Sequence, residues 1–104
     1  MKNWGKLSLV EQMANIGSEV IRCLKWKSKG NSEYADLANI QAIKLFDLTL
    51  GIPSDFAQLK EIARARELWL DFYSGSNQYH QTADQWERYF LAFNFAARNI
   101  HVHS

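Results

Sequence analysis

Apolar residues recur at helical spacings in four stretches of the chain, and short polar segments that contain Gly, Pro, Ser or Asn separate these stretches. In the first stretch they lie three or four residues apart and form one continuous stripe: Leu9, Met13, Ile16, Val20 and Leu24. The second stretch, 35–50, is apolar around well over half of a helix and therefore needs neighbours on two or three sides. The pattern predicts helices at about 8–29, 32–50, 54–74 and 82–99.

Residues with known roles at helix ends support these bounds. Ser8 with Glu11 and Thr82 with Gln85 have the spacing of a capping box, in which side chains and backbone amides at the start of a helix pair reciprocally. Gly30 is suited to end the first helix. The connections are short, so each helix is expected to turn back on the one before. The predicted fold is all-α, a single antiparallel up-down-up-down four-helix bundle over 1–104.

The first helix contains a glycine that needs an explanation. Gly17 lies in a second row beside the apolar stripe, next to Ala14. A glycine inside a helix costs about 1 kcal/mol relative to alanine. We therefore expect small residues here to permit the close approach of a neighbouring helix.

Composition narrows the class of protein. Apolar residues make up 47% of the 104 residues and aromatic residues 13%, which is typical of a folded domain. The net charge of +1 gives no electrostatic case for a nucleic acid or a membrane, and no apolar run approaches the roughly 18 residues of a membrane span. The single cysteine, Cys23, has no partner for an internal disulfide. These features favour a cytoplasmic protein without a cofactor or a metal.

One cluster of basic residues interleaves cations with an aromatic ring: Arg22, Lys25, Trp26, Lys27 and Lys29. Such a cluster is able to contact phosphate and stack on a base. The other interpretation is a solvated helix end whose Trp26 lies on a neighbouring helix. The low net charge favours the second interpretation, so we do not expect a nucleic-acid partner.

A polar cluster is expected between the helices, because Glu19, Asp47 and Arg66 all lie beside apolar faces. The functional interpretation is a pocket for a small anion or a nucleotide. The structural interpretation is an ion pair that fixes the register of the helices, which is the better-attested use of such groups.

The third and fourth predicted helices are crowded with aromatic side chains. Four of them, on the fourth helix, form a candidate interface with a second copy or another protein: Trp86, Tyr89, Phe90 and Phe93. Leu91, Ala92 and Phe95 widen the apolar surface of this helix. The alternative is that the large rings fill the core.

Four strings, ANIGSEV, LFDLTL, KEIARARE and YFLAFNFAAR, resemble an uncharacterised family of small bacterial and archaeal all-helical proteins. The resemblance runs over nearly the whole chain and implies a compact helical fold. It implies no activity and no catalytic residues.

A second, looser resemblance concerns the end of the chain. Arg98 and His103, separated by four residues, resemble the Arg and His motif of HEPN proteins, helical bundles that include RNA-cleaving toxins and partners of nucleotidyltransferases. The resemblance implies that Arg98 holds phosphate while His103 assists proton transfer. The alternative is that Arg98 complements the helix dipole and that the histidines form a tail. His101 and His103, even with His80, make a poor preformed metal site, and none is predicted.

The sequence therefore predicts a non-catalytic helical protein-interaction module that self-associates. A HEPN-like ribonuclease or nucleotidyltransferase partner that uses Arg98 and His103 is the alternative.

Overall fold

The computed structural model describes the backbone of residues 4–103 and the side chains of residues 4–99. All regular structure in this part of the chain is helical, as the sequence predicts. A short 3₁₀ helix precedes four α-helices: Trp4–Lys6, then α1 (Leu9–Ser28), α2 (Ser32–Leu50), α3 (Phe56–Ser74) and α4 (Ala83–His103).

Two helix bounds differ from the prediction. Helix α3 begins at Phe56 rather than at residue 54, because Asp55 is its N-cap and accepts a hydrogen bond from the Gln58 amide at 2.8 Å. Helix α4 continues to His103 rather than ending near Asn99. The sequence after Asn99 contains neither glycine nor proline, so it carries no signal that would end the helix.

The predicted caps are confirmed. The Ser8 hydroxyl accepts from the Glu11 amide at 3.2 Å, and the Glu11 carboxylate accepts from the Ser8 amide at 3.0 Å. Thr82 and Gln85 form the same reciprocal pair before α4. Gly30 has a φ of 78°, a left-handed conformation that favours glycine, and it separates α1 from α2.

Helix α1 is the central element of the packing. It lies closely against both α2 and α4, while α2 also contacts α3. These contacts are compatible with a bundle. The largest side chains with less than 2% exposure come from all four helices: Met13, Ile16, Val20 and Cys23 on α1, Phe46 on α2, Trp69 on α3 and Phe90 on α4.

Gly17 explains how α1 and α4 come so close. A Cβ atom added at Gly17 would lie 2.6 Å from Cβ of Phe90, and two ring carbons of Phe90 would lie within 2.9 Å. The expected close approach of a neighbouring helix is therefore confirmed, and Phe90 is the residue that occupies the space.

The segment before α1 is held to the end of α2. Trp4 is 6% exposed, and its indole N–H donates to the Thr49 hydroxyl at 3.1 Å. The buried Gln12 side chain donates to the carbonyl oxygens of Trp4 and Leu7, each at 3.1 Å. Trp4 and Gln12 together therefore fix this segment to the helices.

Gly17→Ala should lower the stability of the protein. The added methyl group meets Phe90 near the α4 backbone, so α4 must shift, and overpacking of this kind costs about 1–3 kcal/mol against a gain of about 1 kcal/mol in helix propensity. We expect a net loss in the free energy of unfolding, measured by urea denaturation. The control is Gly51→Ala, where the nearest atom to the added Cβ lies at 3.5 Å. Equal stability of the two variants would contradict the close-packing interpretation.

Candidate functional site

The structure brings together two of the three residues of the predicted polar cluster. Nε of Arg66 on α3 lies 2.9 Å from Oδ1 of Asp47 on α2. Glu19 instead pairs with Arg22, one turn further along α1, at 2.6 Å. The Asp47 side chain is 57% exposed, so its pairing with Arg66 is an ion pair at the surface of the α2–α3 seam. Such pairs contribute about 1 kcal/mol or less.

Two more hydrogen bonds cross the same seam. The indole N–H of the buried Trp69 donates to Oδ1 of Asn39 at 2.7 Å. The Tyr73 hydroxyl donates to Oδ1 of Asp36 at 2.5 Å. Sequence reasoning missed these pairs, although Asp36, Asn39 and Asp47 recur along one side of α2 at a helical spacing.

The thiol of Cys23 lies beside the Tyr73 hydroxyl in the interior. Burial raises the pKa of the Cys23 thiol, and a hydrogen bond with Tyr73 opposes this only in part. Burial also raises the pKa of Tyr73, and the hydrogen bond to Asp36 adds to the effect. A thiol whose pKa is raised by burial stays protonated at neutral pH and is a weak nucleophile. Cys23, at 0% exposure, packs as part of the core.

The basic cluster near the end of α1 contacts aromatic rings of the same chain. Trp26 meets Tyr34 of α2 edge to face, with ring centroids 4.9 Å apart. Nζ of Lys29 lies 5.3 Å from the centroid of the Trp26 ring, and Nζ of Lys27 lies 4.7 Å from that of Tyr73. Trp26 thus packs against a neighbouring helix, as the structural interpretation of this cluster expects.

The four aromatic residues of the candidate interface do not form one surface. Trp86 and Phe90 are 4% and 0% exposed and lie in the core. The Trp86 ring contacts both Trp69 and Phe90, with centroids 5.5 Å and 5.9 Å away. Tyr89 and Phe93 are partly buried against the same rings. Of these four side chains, only Tyr89 and Phe93 are therefore partly accessible to a partner.

A groove of about 370 Å³ lies between α3 and α4. Its α3 side is formed by Glu61, Arg64, Ala65 and Leu68, and its other side includes Gln85, Trp86 and Tyr89. A groove of this size falls within the range of small-molecule sites. The sequence pattern identifies Arg64 only as part of an outer polar stripe, but the structure places it beside this groove.

Tyr89 reports on the electrostatic environment of the groove. Burial raises the pKa of its phenol to about 12, and the negative charge of Glu61 adds to the effect. Both causes disfavour a negative charge at this position. Burial and Glu61 thus both oppose ionisation of Tyr89 at this side of the groove.

A second cavity of about 240 Å³ adjoins the first, and both are lined by Arg64 and Leu68. Two buried polar atoms that lack a hydrogen-bond partner among the described residues belong to side chains at these cavities. They are Nε1 of Trp86 at the first and Oδ2 of Asp71 at the second. Most buried polar groups in proteins are paired, so each of these atoms needs an explanation.

The Arg98 and His103 pair stays a prediction. Arg98 is exposed on α4, and the side chains of His101 and His103 lie outside the described residues. Five residues correspond to about 1.4 turns of an α-helix, so positions 98 and 103 of one chain lie on different sides of α4. No specific observation favours a ribonuclease site. Among the residues whose side chains are described, no three His, Cys, Asp or Glu residues are grouped to hold a metal ion.

The comparisons with known proteins leave the family open. The chain matches no protein-family model, no curated protein and no solved structure. Across the described part of the chain, none of the helices has the length and apolar character needed to cross a membrane.

The α2–α3 seam should depend more on Asn39 than on Asp47. Asn39→Leu leaves the indole N–H of the buried Trp69 unpaired, which costs about 1–3 kcal/mol. Asp47→Asn removes an exposed ion pair, so we expect a loss below about 1 kcal/mol. Urea denaturation of both variants measures the difference. A larger loss for Asp47→Asn would show that the ion pair, and not the indole hydrogen bond, dominates the seam.

Tyr89 should contribute to the loss of stability at high pH. Its folded pKa of about 12 exceeds the usual value of about 10, so its contribution to stability is complete below pH 10. That contribution declines as the pH rises from about 10 to about 12. Tyr89→Phe should therefore lose less stability than the natural protein over this interval. The urea midpoint measured across the interval tests this, and identical pH profiles would contradict it.

Proposed function

We propose that this protein is a non-catalytic helical interaction module that self-associates through the outer side of α4. The observation that carries the proposal is the exposure of Leu91 and Phe95, at 52% and 68%. They lie four residues apart and therefore face the same side of the helix. The predicted interface on α4 is thus proposed at these two residues rather than at Trp86 and Phe90, which fill the core.

The physical drive is the removal of these side chains from water. Burying a large apolar side chain contributes about 1.5–3 kcal/mol. In a two-fold symmetric dimer each copy supplies the same surface, so the contribution of Leu91 and Phe95 is doubled. A net charge of +1 gives two copies little mutual repulsion.

The surroundings of the two residues suit an interface. Ala92, also exposed, leaves room for a second helix to approach. Arg88, paired with Asp84 on the same helix, and the exposed Asn99 provide a polar rim at either end of the apolar residues. An apolar centre with a polar rim is the usual arrangement of an interface.

We also infer that consecutive helices of the bundle are antiparallel. The contact of Trp4, before α1, with Thr49 at the end of α2 supports this order for the first pair. For α2 and α3, the support is that Asp47 pairs with Arg66 while Asp36 pairs with Tyr73, further along α3. Short connections favour the same order for the remaining helices.

The proposed location is a reducing cytoplasm. Support comes from the single, buried cysteine, which has no partner for a disulfide within the chain. The proposed partner is a second copy of the chain or another protein. The engagement of Lys27 and Lys29 with rings of their own chain supports the expectation that nucleic acid is not a partner.

Phe95→Asp should reduce the mass of the protein in solution to that of the monomer, because a charge would have to be buried in the apolar contact. Native mass spectrometry and sedimentation over a range of concentrations measure the mass. The matched control is Ile40→Asp on α2, where the natural residue is 52% exposed.

We expect the control to keep the mass of the natural protein, and circular dichroism to show that both variants stay helical. The proposal is wrong if the natural protein is monomeric at every concentration. It is also wrong if Phe95→Asp leaves the mass unchanged, and a loss of mass in Ile40→Asp alone would assign the interface to α2.

A further inference from the structure

The outer side of α4 carries opposite charges at its two ends. Asp84 lies seven residues before Leu91 and Arg98 lies seven residues after it, and all three side chains are exposed. Seven residues correspond to about two turns, so these residues lie along one side of the helix with Leu91 at the centre. Phe95 lies on the same side, four residues after Leu91. The proposed apolar interface therefore has a carboxylate beyond one end and a guanidinium beyond the other.

The half of α4 that contains Asp84 has a net negative charge. Asp84 pairs with Arg88 on the same helix, yet its side chain is still 63% exposed. Glu87, which is partly exposed, adds a second carboxylate beside this pair. The pairing with Arg88 therefore balances only one of the two negative charges.

The half of α4 that contains Arg98 adjoins further positive charge. A groove of about 360 Å³ between α1 and α4 reaches Asn94 on this half, and its α1 side includes Arg22 and Lys25. Glu19 pairs with Arg22 at 2.6 Å. The net charge that these three residues of α1 bring to the groove is therefore that of Lys25.

A second copy meets these charges favourably in one direction of α4. Two antiparallel α4 helices that cross at Leu91 place Asp84 of each copy opposite Arg98 of the other, because both residues are equally far from the centre. Each acidic half then lies along the half that adjoins Lys25. Parallel helices would instead place Asp84 opposite Asp84 and Arg98 opposite Arg98, and like charges that face each other across an interface repel.

We infer that two copies of the chain pair through antiparallel α4 helices, with Leu91 at the two-fold axis and Asp84 bound to Arg98 of the other copy at each end. The inference rests on the self-association proposed above and adds its direction and its charge pairs. Asp84 is able to keep Arg88 as well, since a carboxylate has about four acceptor positions. The charges thus favour a second copy of this chain as the partner, because its α4 carries the complementary order of charges.

Charge reversal in the full chain tests the direction. Asp84→Lys and Arg98→Glu should each raise the Kd of the dimer by roughly tenfold at low salt, because each turns two attractions of the symmetric dimer into repulsions. The double variant Asp84→Lys/Arg98→Glu exchanges the two charges, so its Kd should return close to that of the natural protein. Sedimentation equilibrium measures all four Kd values.

The double variant also controls for damage to α4. A lysine at position 84 stands one turn from Arg88 and opposes the helix dipole in the single and the double variant alike. A dimer lost for that reason would stay lost in the double variant. A second control, Glu33→Lys, makes the same change in the first turn of α2 and should leave Kd unchanged.

Cross-linking gives a second measurement that does not depend on charge reversal. In the antiparallel dimer, position 84 of one copy lies opposite position 98 of the other, while the two positions 84 lie roughly 21 Å apart along the helices. A short bismaleimide reagent should therefore cross-link a mixture of the Asp84→Cys and Arg98→Cys variants, and neither variant alone. Cys23 is 0% exposed, so it does not compete for the reagent.

The inference is supported by weaker dimers in both single variants, recovery in the double variant and cross-links in the mixture alone. An unchanged Kd in the single variants, a double variant no tighter than the single ones, or cross-links within Asp84→Cys alone overturns it. In those cases the proposed self-association still stands if Phe95→Asp reduces the mass. A natural protein that is monomeric at every concentration overturns both and leaves the outer side of α4 to a different protein.

Discussion

The contact between Gly17 and Phe90 determines where the other helices lie. With no side chain at position 17, α1 accepts the Phe90 ring at a distance that even a methyl group would prevent. Helix α1 therefore packs against α4 on one side and against α2 on another. Helix α3 then packs on α2, and it meets α4 chiefly through the large rings of Trp69 and Trp86. The groove between α3 and α4 is what remains when two helices are separated by side chains of that size.

The two tryptophans at this meeting point differ in the hydrogen bonding of their indole N–H groups. Trp69 and Trp86 are both buried, and their rings meet edge to face at 5.5 Å. The α2–α3 seam supplies Asn39 as an acceptor for Trp69. No equivalent acceptor faces Trp86 among the described residues. The indole N–H of Trp69 at the α2–α3 seam is therefore paired. The indole N–H of Trp86 beside the groove has no partner among the described residues.

Much of the fold was predictable because helix ends and helix faces are local properties. Ser8 and Thr82, with the residues three positions later, predict the two capping boxes. Gly17 predicts a close approach of another helix, because glycine inside a helix lowers stability unless the space is needed. Periodicity, however, shows which residues share a face and not what covers that face. Trp86 and Phe90 therefore look the same in the sequence whether they meet a second copy or their own core.

The site residues show the same limit in another form. The pairing of Asp47 with Arg66 was foreseeable from two charges beside apolar faces, but Glu19 has a nearer partner on its own helix in Arg22. From the sequence pattern, the polar stripe on α3 that contains Arg64 is predicted to face solvent. Its position beside a groove depends on the spacing of α3 and α4, which no single helix encodes.

Helix α4 has two different surfaces, and the packing keeps them apart. Trp86 and Tyr89 face the groove, while Leu91 and Phe95 lie on the outer side of the same helix. Rotation of α4 would be needed to exchange one surface for the other, but the Phe90 ring is held in the space above Gly17. Because that contact is made near the backbone of both helices, α4 has one orientation in which the core is filled. A second copy on the outer side of α4 is therefore compatible with an open groove between α3 and α4.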